Sequence, residues 1–106
     1  MTEEQFTAWA AGIYEGEGTA HYSLSAGYRV GITSSDEDVV QRFHEVVGFG
    51  TIYGPYRHGN RSNKPLWLWG ATNRQGVRNL LELFRPFLLT RRVEQLERVL
   101  RGKDAQ

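Results

Sequence analysis

The apolar residues change period abruptly at Gly16-Glu17-Gly18, and that switch narrows the possible folds more than any other feature. Before it, Phe6, Trp9, Ala10 and Ile13 recur at helical spacing behind Thr2 and Gln5, which fit a capping box. After it the period is 2. Ala20, Tyr22 and Leu24 alternate with His21, Ser23 and Ser25; beyond an Ala26-Gly27 turn, Tyr28, Val30 and Ile32 alternate with Arg29, Gly31 and Thr33. The spacing predicts a helix ended by glycines, then a β-hairpin with one core face and one polar face.

Ser35 or Asp36 caps a second helix, whose Val39, Val40, Phe43, Val46 and Val47 face the core and which Gly48-Phe49-Gly50 ends. A second hairpin follows at about 51–57 and 65–71 around a loop at 58–64. In it Trp67 and Trp69 share one face, Leu66 and Leu68 the other. Thr72 and Gln75 make another capping box before a helix bearing Val77, Leu80, Leu81 and Phe84, which Arg85-Pro86 breaks. A last helix at about 90–101 buries Val93, Leu96 and Leu100, and 101–106 form a frayed tail. The order α-β-β-α-β-β-α-α, without linker or internal repeat, makes 1–106 a single α+β domain: a four-stranded antiparallel sheet with helices on one face. The other face stays bare and is a candidate binding surface.

The absence of cysteine removes any disulfide framework or thiolate metal site and fits a reducing, cytoplasmic setting. No apolar run approaches the roughly 18 residues of a membrane span, and the N-terminus lacks the basic-then-apolar pattern of a signal peptide, so no membrane partner is expected. A net charge of +1 hides a strong segregation. Residues 1–45 set eight acids against Arg29 and Arg42, whereas 46–81 hold Arg57, Arg61, Lys64, Arg74 and Arg78 and no acid. An acid-free basic third is either a footprint for phosphates or a solvated face that happens to lack acids.

Glu15 and Glu17 stand at the C-terminal end of the first helix, where the macrodipole disfavours a carboxylate by roughly 0.3–1 kcal/mol. A bound cation is the most economical reason for two acids there. Ala8, Gly12 and Gly16 form a ridge without long side chains along the same helix, and Gly12 costs it roughly 1 kcal/mol relative to Ala. Such a ridge suits tight packing on the chain's own sheet. It equally suits a second copy of the helix crossing at Ala8, Gly12 and Gly16, which brings two Glu17 residues together.

Residues 10–18, Ala-Ala-Gly-Ile-Tyr-Glu-Gly-Glu-Gly, resemble the LAGLIDADG motif of the homing endonucleases, with Glu at both acidic positions. The element order is similar to that family's core, and Arg85-Pro86-Phe87-Leu88 resembles its closing segment, so the likeness spans nearly the whole chain. The resemblance implies a saddle-shaped sheet in the DNA major groove and a first helix that is both dimer interface (Ala8, Gly12, Glu15, Gly16) and carrier of the active site. Glu17 then matches the acid that binds Mg²⁺, for which Mn²⁺ substitutes, and the Gly16 carbonyl matches the backbone metal ligand. Glu15 matches the acid that is mainly structural. Arg91 falls where the family commonly has Lys near the scissile bond; Arg does not give up its proton, so it stabilises charge and cannot act as a base. Ser34 falls where a longer Gln or Asn orients water.

For DNA, the polar faces supply His21, Ser23, Ser25, Arg29 and Thr33, with Tyr53 and Arg57 from the second hairpin and Arg61 and Lys64 from its loop. His21, His44 and His58 have no metal-ligand spacing among themselves. The reading is a homodimeric, metal-dependent, site-specific double-strand DNA endonuclease with a palindromic or near-palindromic target and no small-molecule cofactor. The alternative is a nucleic-acid-binding protein of the same fold that does not cut, such as a splicing helper or regulator.

Overall fold

The computed structural model describes residues 1–57 and 64–105. Helix α1, Glu3–Glu17, begins in the expected capping box: Thr2 Oγ1 accepts from the Gln5 amide at 3.1 Å, and Gln5 Oε1 accepts from the Thr2 amide at 2.8 Å. Its buried stripe is Ala10, Ala11 and Tyr14, while Phe6, Trp9 and Ile13 are half-buried beside it. At Glu17 the helix passes without a loop into strand β1, Gly18–Ser23, which turns into β2, Gly27–Ser34. Leu24 and Ser25 belong to that turn and not to the strand; Leu24 is exposed, and the Ser23 hydroxyl accepts from the Ala26 amide.

Asp36, rather than Ser35, caps helix α2, Glu37–Val47, and Gly48 ends it in the left-handed region at φ 81°. Strands β3, Thr51–Tyr56, and β4, Leu66–Ala71, complete one antiparallel sheet in the order β1-β2-β4-β3. Helix α3, Arg74–Phe84, is capped by Asn73, whose side chain accepts from the Gly76 amide at 2.7 Å, and not by the expected Thr72. After a 3₁₀ turn at Arg85–Phe87, helix α4 runs Thr90–Arg101, and Gly102–Ala105 continue as a second 3₁₀ turn where a frayed tail was expected. Helix α4 buries Leu96 and Val99, with Val93 and Leu100 half-buried. No helix among the described residues is long and apolar enough to cross a membrane.

Register separates the two faces of the sheet. Ile32 pairs with Trp69 and Val30 with Ala71, so these residues point toward the helices. There Trp69 is fully buried, edge-on to Phe43 at 4.9 Å, and its Nε1 donates to the Phe49 carbonyl at 2.7 Å. Satisfying that one polar atom lets the indole contribute its full apolar area to the core. Trp67 shares this face, and Leu66 and Leu68 share the other, as the alternation predicts. All four helices contact the sheet.

Candidate functional site

The bare face follows from the same register. Thr19 and His21 of β1 stand opposite Gly31 and Arg29 of β2; Thr33 stands opposite Leu68 of β4, which stands opposite Tyr53 of β3. His21, Arg29, Thr33 and Tyr53 are all exposed, and Ser23 is half-buried. Gly31 and Gly70 lie side by side in the two central strands, so no side chain rises between Arg29 and Tyr53. The result is a trough of about 390 Å³, lined among others by Thr19, Arg29, Tyr53, Tyr56 and Leu68.

Tyr56 is a member of this face that simple alternation misses. The register shifts between Tyr53 and Tyr56, around Gly54-Pro55, and the extra residue restores Tyr56 to the face that Tyr53 occupies, opposite Leu66. Gly54 has φ 122°, and a Cβ there would stand 2.7 Å from the Leu66 carbonyl oxygen, so the bulge requires glycine. The same shift takes Arg57 off the strand: it is exposed one residue beyond the end of β3 rather than on its polar face. Lys64 is exposed just before β4, and Arg61, like His58, lies outside the described residues. Ser25 sits in the β1–β2 turn. The Gly54-Pro55 pair inside a strand was the available signal for the bulge.

The second part of the site is the C-terminal end of α1. Glu17 is its last residue and is exposed, and no basic residue occupies the last turn. Gly12 and Gly16 are exposed, with nothing among the described residues within 4 Å of an added Cβ, so these two positions of the ridge are not used for packing on the chain's own sheet; Ala8 is half-buried. Glu15 is committed within the chain. Its Oε1 accepts from the Leu89 amide at the start of α4 at 2.8 Å, its carbonyl accepts from Arg92 Nε at 3.0 Å, and its Oε2 lies 3.9 Å from the same nitrogen.

Arg92, rather than its neighbour Arg91, is therefore the cation that the fold draws inward. It is 8% exposed, spans from Glu15 to Gln95 Oε1, and stacks 5.5 Å from the centroid of Tyr14. Burial pushes the Tyr14 hydroxyl well above the ordinary tyrosine value, with the nearby Arg92 charge opposing that shift. Arg91 is exposed on the first turn of α4. Ser34 ends β2, opposite Trp67 of β4 and two residues past the Ile32 that pairs with Gly18; its Oγ accepts from the Asp36 amide at 3.0 Å. Among the described residues, no three His, Cys, Asp or Glu side chains gather as a metal cluster.

Among the described residues a helix passes straight into a four-stranded antiparallel sheet with the helices on one face and the other bare, a fold shared with solved homing endonucleases. Among solved structures, the archaeal intron-encoded I-Vdi141I complexed with DNA matches with a TM-score of 0.72 and 17% identity over 92% of this chain and 66% of that one. I-CvuI in complex with its target in the presence of calcium matches with a TM-score of 0.66 and 15% identity, over 93% of this chain and 66% of that one. The group I intron-encoded I-CeuI complexed with DNA matches with a TM-score of 0.66 and 18% identity, over 90% of this chain and 52% of that one. The chain thus spans just under two thirds of the length of the first two and about half of the third. No family model matches the sequence, and no curated protein does.

Proposed function

We propose that the chain is a site-specific endonuclease that hydrolyses phosphodiester bonds of double-stranded DNA as a homodimer, with a divalent metal. The observation that carries this reading is the pairing, on one helix, of an exposed Glu17 carboxylate with an open Ala8/Gly12/Gly16 ridge, next to a bare and troughed sheet face. Helical glycines cost roughly 1 kcal/mol each relative to Ala, and no contact among the described residues uses the space they leave. A second α1 laid across that space supports a two-fold axis with a Glu17 on either side of it. Each copy then reads one half-site, and the target is palindromic or nearly so.

Glu17 and the Gly16 carbonyl are hard oxygen donors of the kind Mg²⁺ accepts, together with waters and substrate phosphates, and Mn²⁺ suits the same donors. Such a cation neutralises charge gathering on the phosphate oxygens during hydrolysis. Arg91 adds a permanent positive charge, and Ser34, whose oxygen accepts from Asp36, keeps its own proton to donate to a water. His21, Arg29, Thr33, Tyr53 and Tyr56 face the duplex from the strands.

Two experiments test the reading. Incubation with Mg²⁺ and a randomised duplex library, followed by recovery of cut ends, is expected to return sequences with two-fold symmetry. Duplexes that are bound but never cut at any metal concentration would leave the non-cleaving DNA-binding alternative; sedimentation as a monomer with and without DNA would remove the dimer. Separately, Gly70→Val places a branched side chain in the trough, where a Cβ meets nothing closer than 3.5 Å. Its thermal stability is expected to match the parent, while duplex affinity by fluorescence anisotropy falls on the order of tenfold, about 1.4 kcal/mol.

A further inference from the structure

The turn end of the β1–β2 hairpin carries a second basic concavity, behind the sheet rather than on its bare face. Tyr22 and Tyr28 pair across the strands on the helix-facing side, with ring centroids 4.7 Å apart. With Arg74, Leu100, Arg101 and Lys103 they line a hollow of about 560 Å³. The three cations arrive from separate elements: Arg74 opens α3, Arg101 closes α4, and Lys103 lies in the final 3₁₀ turn.

Their placement is built in. Arg74 Nε donates to the Leu100 carbonyl at 3.1 Å, which fixes its guanidinium at the rim. Gly102 fixes the other two. It adopts φ 58° and ψ −131°, a conformation side-chain-bearing residues rarely take, and a Cβ there would stand 2.6 Å from the Tyr28 hydroxyl. The reversal at Gly102 turns Arg101 and Lys103 onto the same hollow. Among the residues whose side chains are described, which end at Lys103, no carboxylate pairs with any of the three cations.

We propose that this hollow holds a phosphodiester group of the DNA backbone, so that the duplex is gripped outside the bare sheet face as well as on it. The inference rests on the reading of the chain as a DNA-binding protein. An Arg fork and a Lys point charge are the usual receivers of phosphate oxygens, and the hollow sits directly behind the turn that joins it to the bare face. Because the Tyr22–Tyr28 pair lies next to the turn, the rim of the hollow is within reach only of a duplex that extends past the end of the hairpin. Phosphate contacts of this kind anchor and carry no sequence information.

The test is the salt dependence of duplex binding for the parent, for Arg101→Ala/Lys103→Ala, and for Gly102→Ala, which keeps every charge but disturbs the reversal. Each phosphate contact contributes a slope of about −0.9 to log K against log salt. Both variants are expected to lose about one unit of slope, and to lose affinity several-fold and equally for target and random duplexes. Circular dichroism checks that each is folded, and the double variant decides if Gly102→Ala is not. A parent that binds duplex with a slope unchanged in the double variant overturns the hollow and leaves the endonuclease reading intact. A parent that binds no duplex overturns both. Inorganic phosphate that saturably shifts the Gly102 and Lys103 amide resonances, with the DNA slope unchanged, identifies a small-anion site and overturns the backbone contact.

Discussion

Glu17→Gln is expected to bind its duplex about as well as the parent, to cut it at least 10³-fold more slowly, a loss of about 4 kcal/mol of transition-state stabilisation, and to be the more stable protein. The first two effects follow from the proposed role of the carboxylate. An amide keeps the size of the side chain but gives up the charge that holds a divalent cation against a phosphate. The third follows from position. Glu17 closes α1 with no basic residue in the last turn, so removing its charge relieves an unfavourable macrodipole contact of roughly 0.3–1 kcal/mol. Cleavage time courses and urea melts on the same preparations read both numbers. A variant that cuts at the parent's rate removes Glu17 from the reaction; one that is destabilised instead shows that the carboxylate serves the fold.

Arg92→Ala is expected to show the opposite profile, a large loss of stability from a residue outside the reaction. The guanidinium is nearly buried and holds three groups at once: the Glu15 carbonyl, the Gln95 amide oxygen and the face of Tyr14. Breaking a buried pair from one side costs about 3–5 kcal/mol, and because the Glu15 side chain is 26% exposed the expected value lies at about 2–4 kcal/mol. Glu15→Gln keeps an acceptor for the Leu89 amide and is expected to lose about 1 kcal/mol or less. Equilibrium unfolding in urea separates the two. Equal losses would show that the charge on Glu15, and not the reach of Arg92, holds α1 against α4.

Legibility in the sequence tracked how local the controlling physics is. The Thr2/Gln5 box, the Gly48 stop and the switch from helix to strand at Gly18 depend on a few neighbouring residues, and each is readable from them. The Thr72/Gln75 box was read one residue early: β4 runs through Ala71, and the side chain that accepts from the helix is that of Asn73, on the Gly76 amide. Arg57 was misplaced because alternation counts residues and a bulge adds one. Arg92 was hidden for a different reason. Beside Arg91 at the start of a helix, it looks like another solvent-facing charge, and only the fold brings Glu15, 77 positions away, against it. The acid-free basic third was real as a sequence feature, yet the structure divides it: Arg57 and Lys64 lie between the strands of the second hairpin, just after β3 and just before β4, while Arg74 opens α3 behind the sheet.

The direct passage from α1 into β1 also has a mechanical meaning. Gly18 ends the helix and begins the strand, and a Cβ on it would lie 2.5 Å from the Tyr14 ring, so the junction is already as tight as packing allows. A junction with no spare residues has little compliance. Any tilt of α1 is therefore passed on to β1 and, through its ladder, to β2 rather than absorbed at the joint, as the two arms of a bent lever move together.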